Sequence, residues 1–222
     1  MGQSIKQESR EIGKYVAGKV LMLQNLYLSK SSSALGRARL ARLRRLSAGG
    51  GSGWVEVGDD VFADLPELGL GDQSDGKMVN AVVAALRTYA FHQQSKTDPM
   101  AMTWERNEGR DAAGGGPRRR SFGWSCRQIE TNYEDNRGVR RRLAALETAS
   151  SFDVLESGVR ALARLMRGGG VQIDYGLLAA DFYLLQFDVT RGGVFQRWSK
   201  DYFSFVPKGS GEDAVKDIAE EG

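Results

Sequence analysis

From Asn136 to Arg167 the chain reads NRGVRRRLAALETASSFDVLESGVRALARLMR, and this stretch narrows the possible folds more than any other. Leu155, Val159, Leu162 and Met166 follow one another at three- and four-residue spacing, which puts them on one side of a helix over residues 154–167. Arg160, Arg164 and Arg167 repeat that spacing on another side. A helix built this way packs one face into protein and offers the other to negative charge. A second helical segment, residues 139–148, precedes it, and Ser150 or Ser151 is placed to cap the later one.

The same spacing recurs along the chain. Residues 11–29 carry Tyr15, Val16, Val20, Leu23, Leu26 and Tyr27, and residues 29–33 are a polar break. In residues 34–46 the leucines at 35, 40, 43 and 46 share one sector, with Arg37 and Arg44 opposite. Arg39 projects into the leucine sector and must snorkel out or be paired. Residues 79–92 have a wide apolar face, mark a buried helix, and stop before Pro99. Further helices are expected over residues 122–133, 174–187 and 193–203, and Gly168 to Gly170 closes the one before them. No sustained strand alternation and no fixed-period repeat is visible. The expected fold class is therefore all-α: a compact helical bundle with a long glycine-rich loop insertion between residues 97 and 121. A single helical domain over residues 11–205 accounts for the pattern, with residues 1–10 and 207–222 as flexible tails. Between helices, AGGGSG at 48–53 is a flexible break, and residues 54–77 read as ordered loop.

Composition removes several function classes. Cys126 is the only cysteine and His92 the only histidine, so an intramolecular disulfide, a cysteine-based metal site and the common histidine-dependent triads are unavailable. A reducing, cytoplasmic setting fits. Residues 1–14 are polar where a signal peptide needs an apolar core, and no apolar run approaches the ~20 residues of a membrane span. The opening Met-Gly lacks the serine or threonine preferred at the sixth position for myristoylation. His92 sits at a helix end without a paired base or nucleophile, so catalysis there is the lesser expectation. The loop carboxylates Asp59, Asp60, Asp64 and Glu67 are of a type that binds Mg²⁺, but such pairs are more often solvated. The glycine runs are spacers, since none is followed by Lys-Ser/Thr. Phe122 with Trp124, and Trp198 with Tyr202, have the ring type that stacks bases, although helical spacing favours core packing. Neither a cofactor nor a metal is expected.

Charge is segregated rather than abundant. Lysine and arginine total 31 against 28 acids, yet residues 118–167 hold eleven arginines and six acids, while residues 207–222 hold five acids and two lysines. Basic residues recur in separate helical segments, and the candidate nucleic-acid-binding set is Arg44, Arg45, Arg127, Arg141, Arg142, Arg160, Arg164, Arg197 and Lys200. A guanidinium can donate two hydrogen bonds to a phosphate, and neutralising phosphates releases counterions. Such contacts hold a strand without reading its sequence. The alternative from another class is a helical adaptor whose arginines bind an acidic protein.

Several segments in order, ARLARLRRLSAG, ALRTYAFHQQSKTDPM, VRRRLAALETASSFDVLESGVRALARLMR, then IDYGLLAADFYLLQ and QRWSKDYF, resemble the CasB family, the small subunit of the type I-E CRISPR surveillance complex, Cascade. The resemblance covers most of residues 36–203, and the acidic tail lies outside it. It implies a compact helical protein without enzymatic activity of its own, present as a pair of copies. Its implied partners are the backbone and large subunits, the guide-RNA-containing complex, a second copy of itself, and the displaced single-stranded DNA; no membrane is implied. The family's basic positions correspond here to Arg44 and Arg45, Arg127, Arg141 and Arg142, Arg160 with Arg164, and Arg197. Family members commonly carry a Ser-x-Gly-Arg turn where this chain reads SFGWSCR at 121–127.

Overall fold

Apolar side chains spaced three and four apart do form helices in the computed structural model, which describes residues 2–46, 76–102, 108–110, 117–132 and 138–204. Among the described residues there are eight helices: α1 Gly2–Leu28, α2 Ser33–Arg45, α3 Gly76–His92, α4 Phe122–Asn132, α5 Gly138–Ala145, α6 Phe152–Gly168, α7 Tyr175–Leu184 and α8 Asp188–Ser204. The all-α expectation holds, with one small addition. Inside the long loop, β1 Glu108–Arg110 and β2 Pro117–Arg119 pair as an antiparallel ribbon of three residues a side, too short to show alternation in sequence.

A single core joins all eight helices. α1 lies chiefly against α7 and α2, α3 against α7, α6 and α2, and α4 against α8. The four residues that define the apolar stripe of α6, Leu155, Val159, Leu162 and Met166, are all fully buried. Ser151 caps this helix by accepting from the Val154 amide, Asp174 caps α7 by accepting from the Leu177 amide, and Gly170, at φ 69°, follows the end of α6. The tightest crossing is α4 over α8. A Cβ on Gly123 would stand 1.9 Å from the Trp198 carbonyl oxygen, so only glycine lets the two backbones approach this closely.

Three expectations are corrected. Residues 2–10 are helix rather than a frayed tail, because Ser9 is buried and the Glu8 carboxylate accepts from the Tyr183 hydroxyl on α7. Leu35 is 45 % exposed, so the buried face of α2 is Leu40, Leu43 and Gly36, followed by Leu46. α8 begins at Asp188 rather than residue 193, with Thr190 bonding back to the carbonyls of Leu184 and Phe187. The glycine break at 48–53, the segment 54–75 with Asp59, Asp60, Asp64 and Glu67, and residues 205–222 lie outside the described residues. Among the described residues no helix is long and apolar enough to cross a membrane, and no group of metal-ligating side chains gathers.

Candidate nucleic-acid interface

The α6 arginines are organised from underneath by a carboxylate. Glu156 is fully buried on the core side of α6, where its Oε2 accepts from Arg87 of α3 at 3.2 Å and its Oε1 lies 3.4 Å from Arg160 Nε one turn along. Burial pushes the Glu156 carboxyl above its ordinary range even though Arg87 and Arg160 pull it down, and burial likewise lowers the Arg87 guanidinium. Two arginines share the one buried acid, a positive excess that exposed Asp153, acting on both Arg87 and Glu156, offsets in part. Arg160 carries it outward: its side chain is 18 % exposed, and its guanidinium lies 5.4 Å from the Phe91 ring centroid. Exposed Arg164 stands over the same ring at 5.3 Å, and Arg167 donates to the Phe91 carbonyl at 3.4 Å. Phe91, at the end of α3, thus aligns three arginines of α6 into a ridge.

α5 presents a second basic edge. Val139 and Leu143 are buried while Arg140, Arg141 and Arg142 are exposed, the expected outcome for a short helix that spends only one face on the core. Arg140 lies 5.1 Å from the ring centroid of Phe203 in the last turn of α8, and Arg127 of α4 lies 5.5 Å from that of the neighbouring Tyr202. Among the described residues none of Arg140, Arg141, Arg142 and Arg164 has an ion-pair partner. Arg44 and Arg45 sit on α2, each with its Nε donating to the backbone carbonyl one turn back, which steadies the side chain, and neither has an ion-pair partner among the described residues.

Arg197 behaves differently. It pairs with Asp181 of α7, a carboxylate 1 % exposed whose second oxygen accepts from the Trp198 indole at 2.6 Å. Burial pushes the Asp181 carboxyl up against the opposing pull of Arg197 and Trp198. The structure therefore gives Arg197 an internal duty, joining α8 to α7. Lys200, one turn further along α8, is exposed.

The remaining candidates are core members. Phe122, Trp198 and Tyr202 are buried, with Phe122 and Trp198 centroids 5.2 Å apart, as helical spacing led one to expect. Trp124 is half-buried beneath the Arg120 guanidinium at 4.3 Å. His92 is fully buried, its Nε2 3.2 Å from the Val171 carbonyl, and burial lowers its pKa to about 4. Cys126 is buried in apolar surroundings that hold its thiol well above the usual range, the opposite of a reactive cysteine. Sequence reasoning missed Glu156, Arg87, Asp181 and Phe91. The spacing of Glu156 and Arg160 is visible in the chain, but it is also the spacing of an ordinary surface pair, and Arg87 is distant in sequence.

Known proteins place this geometry. No curated protein matches the chain. Among solved structures, the crystal structure of CasB from Thermobifida fusca is similar, with 25 % identity, a TM-score of 0.60, and coverage of 86 % of this chain and 97 % of that one. Residues 39–203, from within α2 to the last turn of α8, match the family of CRISPR-associated protein Cse2. With the family match spanning most of the chain and the fold in agreement, the chain belongs to the Cse2 (CasB) family of CRISPR-associated proteins.

Proposed function

We propose that this protein is a non-catalytic small subunit of the type I-E RNA-guided complex and that it steadies the R-loop by holding the displaced non-target DNA strand. The observation that carries this reading is the set of outward arginines on α5 and α6, Arg141, Arg142 and Arg164, which have no ion-pair partner among the described residues. They stand on helices whose other faces are committed to the core, so the charges are held in place rather than carried on mobile loops. Arg44 and Arg45 extend the basic surface to α2, and Arg160 contributes through its exposed edge.

A strand-holding role needs charge and tolerance of any base, because guide pairing supplies the sequence recognition. Arginine edges with no built base-reading groups meet that need. The non-catalytic part is supported by the state of the two side chains best suited to chemistry. His92 is sealed in the core as a neutral ring bonded to Val171, and Cys126 is sealed as a thiol. In the assembled complex the subunit is expected to work as a pair of copies against the backbone and large subunits.

The test is R-loop lifetime in the reconstituted complex carrying Arg141→Glu, Arg142→Glu and Arg164→Glu. Arg160 is left intact, since removing it would unbalance Glu156. A sharp shortening of the lifetime with an unchanged helical content is the expected result. An unchanged lifetime would exclude the strand-holding role and leave an acidic protein as the partner of these arginines.

A further inference from the structure

The chain leaves its described part at Ser204, and the two residues before the exit are both covered by arginines. Tyr202 lies under Arg127, and Phe203, 62 % exposed, lies under Arg140. Beyond Arg140, the exposed Arg141 and Arg142 continue the positive edge of α5. The segment that follows, residues 205–222, is of opposite sign: Glu212, Asp213, Asp217, Glu220 and Glu221 against Lys208 and Lys216. Such segregation makes a net acidic segment follow directly in sequence from the end of α8, whose last turn touches the basic edge of α5.

Reach permits a contact within one molecule. About eight residues separate Ser204 from Glu212, and an extended chain spans at most ~3.3–3.6 Å per residue, so the first acids have a radius of roughly 27 Å. α5 is eight residues long, which at ~1.5 Å per residue is about 12 Å. All of α5 is thus within range, and covalent linkage gives the tail a high effective concentration there, which no separate acidic peptide shares.

We propose that the acidic segment 212–221 docks in cis on Arg140, Arg141 and Arg142, and that a nucleic-acid strand displaces it. The occupant would hold the arginine edge against adventitious polyanions until a strand with denser charge arrives. The displacement half of this proposal rests on the strand-holding role argued above; the docking half does not. Because the contact is between exposed charges, it weakens as salt shortens the Debye length from ~10 Å at 0.1 M to ~3 Å at 1 M.

Cys126 is fully buried, so a nitroxide on Ser210→Cys in the full chain reports from the tail alone. Paramagnetic broadening of amides across α5 at low salt, recovered at 1 M salt, is the expected result. An absence of broadening on α5, or broadening that salt leaves unchanged, overturns the docking. In the second arm, removal of residues 209–222 should tighten binding of an oligo-dT strand by about fivefold at low salt, the order a few surface ion pairs give. Equal affinities overturn the displacement. If neither form binds the strand, the strand-holding role fails with the displacement, while the broadening still decides whether the tail docks.

Discussion

Two buried carboxylates, Glu156 and Asp181, each take an arginine that the sequence marks as a candidate phosphate ligand, and they put it to opposite uses. Glu156 is shared between Arg87 and Arg160, and the outer arginine of the pair leans on Phe91 beside exposed Arg164. Asp181 is matched by one arginine and an indole N–H, Arg197 and Trp198, and this contact ties α8 to α7. Direction decides the role: Arg160 turns outward over Phe91, whereas Arg197 turns inward to α7. Buried pairs are costly to desolvate and costlier to break, so both sites matter for stability, but only the first is expected to matter for binding.

The largest expected effect is at Asp181. Asp181→Ala leaves the buried Trp198 N–H and the partly exposed Arg197 without their acceptor, and a loss of about 3 kcal/mol, the low end for breaking a buried pair, is expected in denaturant unfolding. Oligo-dT affinity of the folded fraction should hardly change. His92 belongs with the inward class and gives the next effect. Its pKa is depressed from 6.5 to about 4, so its stabilisation is complete above 6.5 and is lost as pH falls toward 4, on the order of 3 kcal/mol across that window. The raised carboxyls of Glu156 and Asp181 act in the opposite sense, because acids held above their usual range give stability at low pH that is lost as pH rises through their folded values. The difference between the wild type and His92→Gln, measured from pH 7 down to 4.5, isolates the histidine and should shrink steadily.

Smaller effects sharpen the outward site. Glu156→Gln keeps the shape but removes the charge between Arg87 and Arg160, and about 1–3 kcal/mol of stability should go with it. Unlike Asp181→Ala, it should also weaken strand binding, since Arg160 loses the group that aims it. Arg164→Ala is the mildest: stability should stay within about 0.5 kcal/mol, as for exposed substitutions generally, while oligo-dT affinity falls several-fold. A reversal of that order between Arg164 and Arg197 would mean that the two clusters have been assigned the wrong way round.

Much of this was legible in the chain. The stripe of Leu155, Val159, Leu162 and Met166, the Ser151 cap and the wide face of α3 all follow from spacing, because local geometry alone dictates which side of a helix they share. Arg141, Arg142 and Arg164 were found for the same reason, since the apolar residues beside them fix the opposite face as exposed. What escaped depends on contacts between distant segments. Arg87 lies in an otherwise apolar helix and its acid is on α6; Arg197 has the spacing of a surface residue and turns to α7. The helical start at Gly2 was hidden because its residues are polar, and only α7 supplies the Tyr183 hydroxyl that Glu8 accepts from.

The central claim, that the outward arginines of α5 and α6 hold a strand through its phosphates, is tested most directly by the salt dependence of oligo-dT binding. Each phosphate neutralised on a single strand contributes about −0.7 to the slope of log K against log salt concentration. Replacing Arg141, Arg142 and Arg164 together with alanine should therefore flatten the slope by roughly 2 if each meets one phosphate. A slope unchanged from the wild type, with the fold intact, would contradict the account.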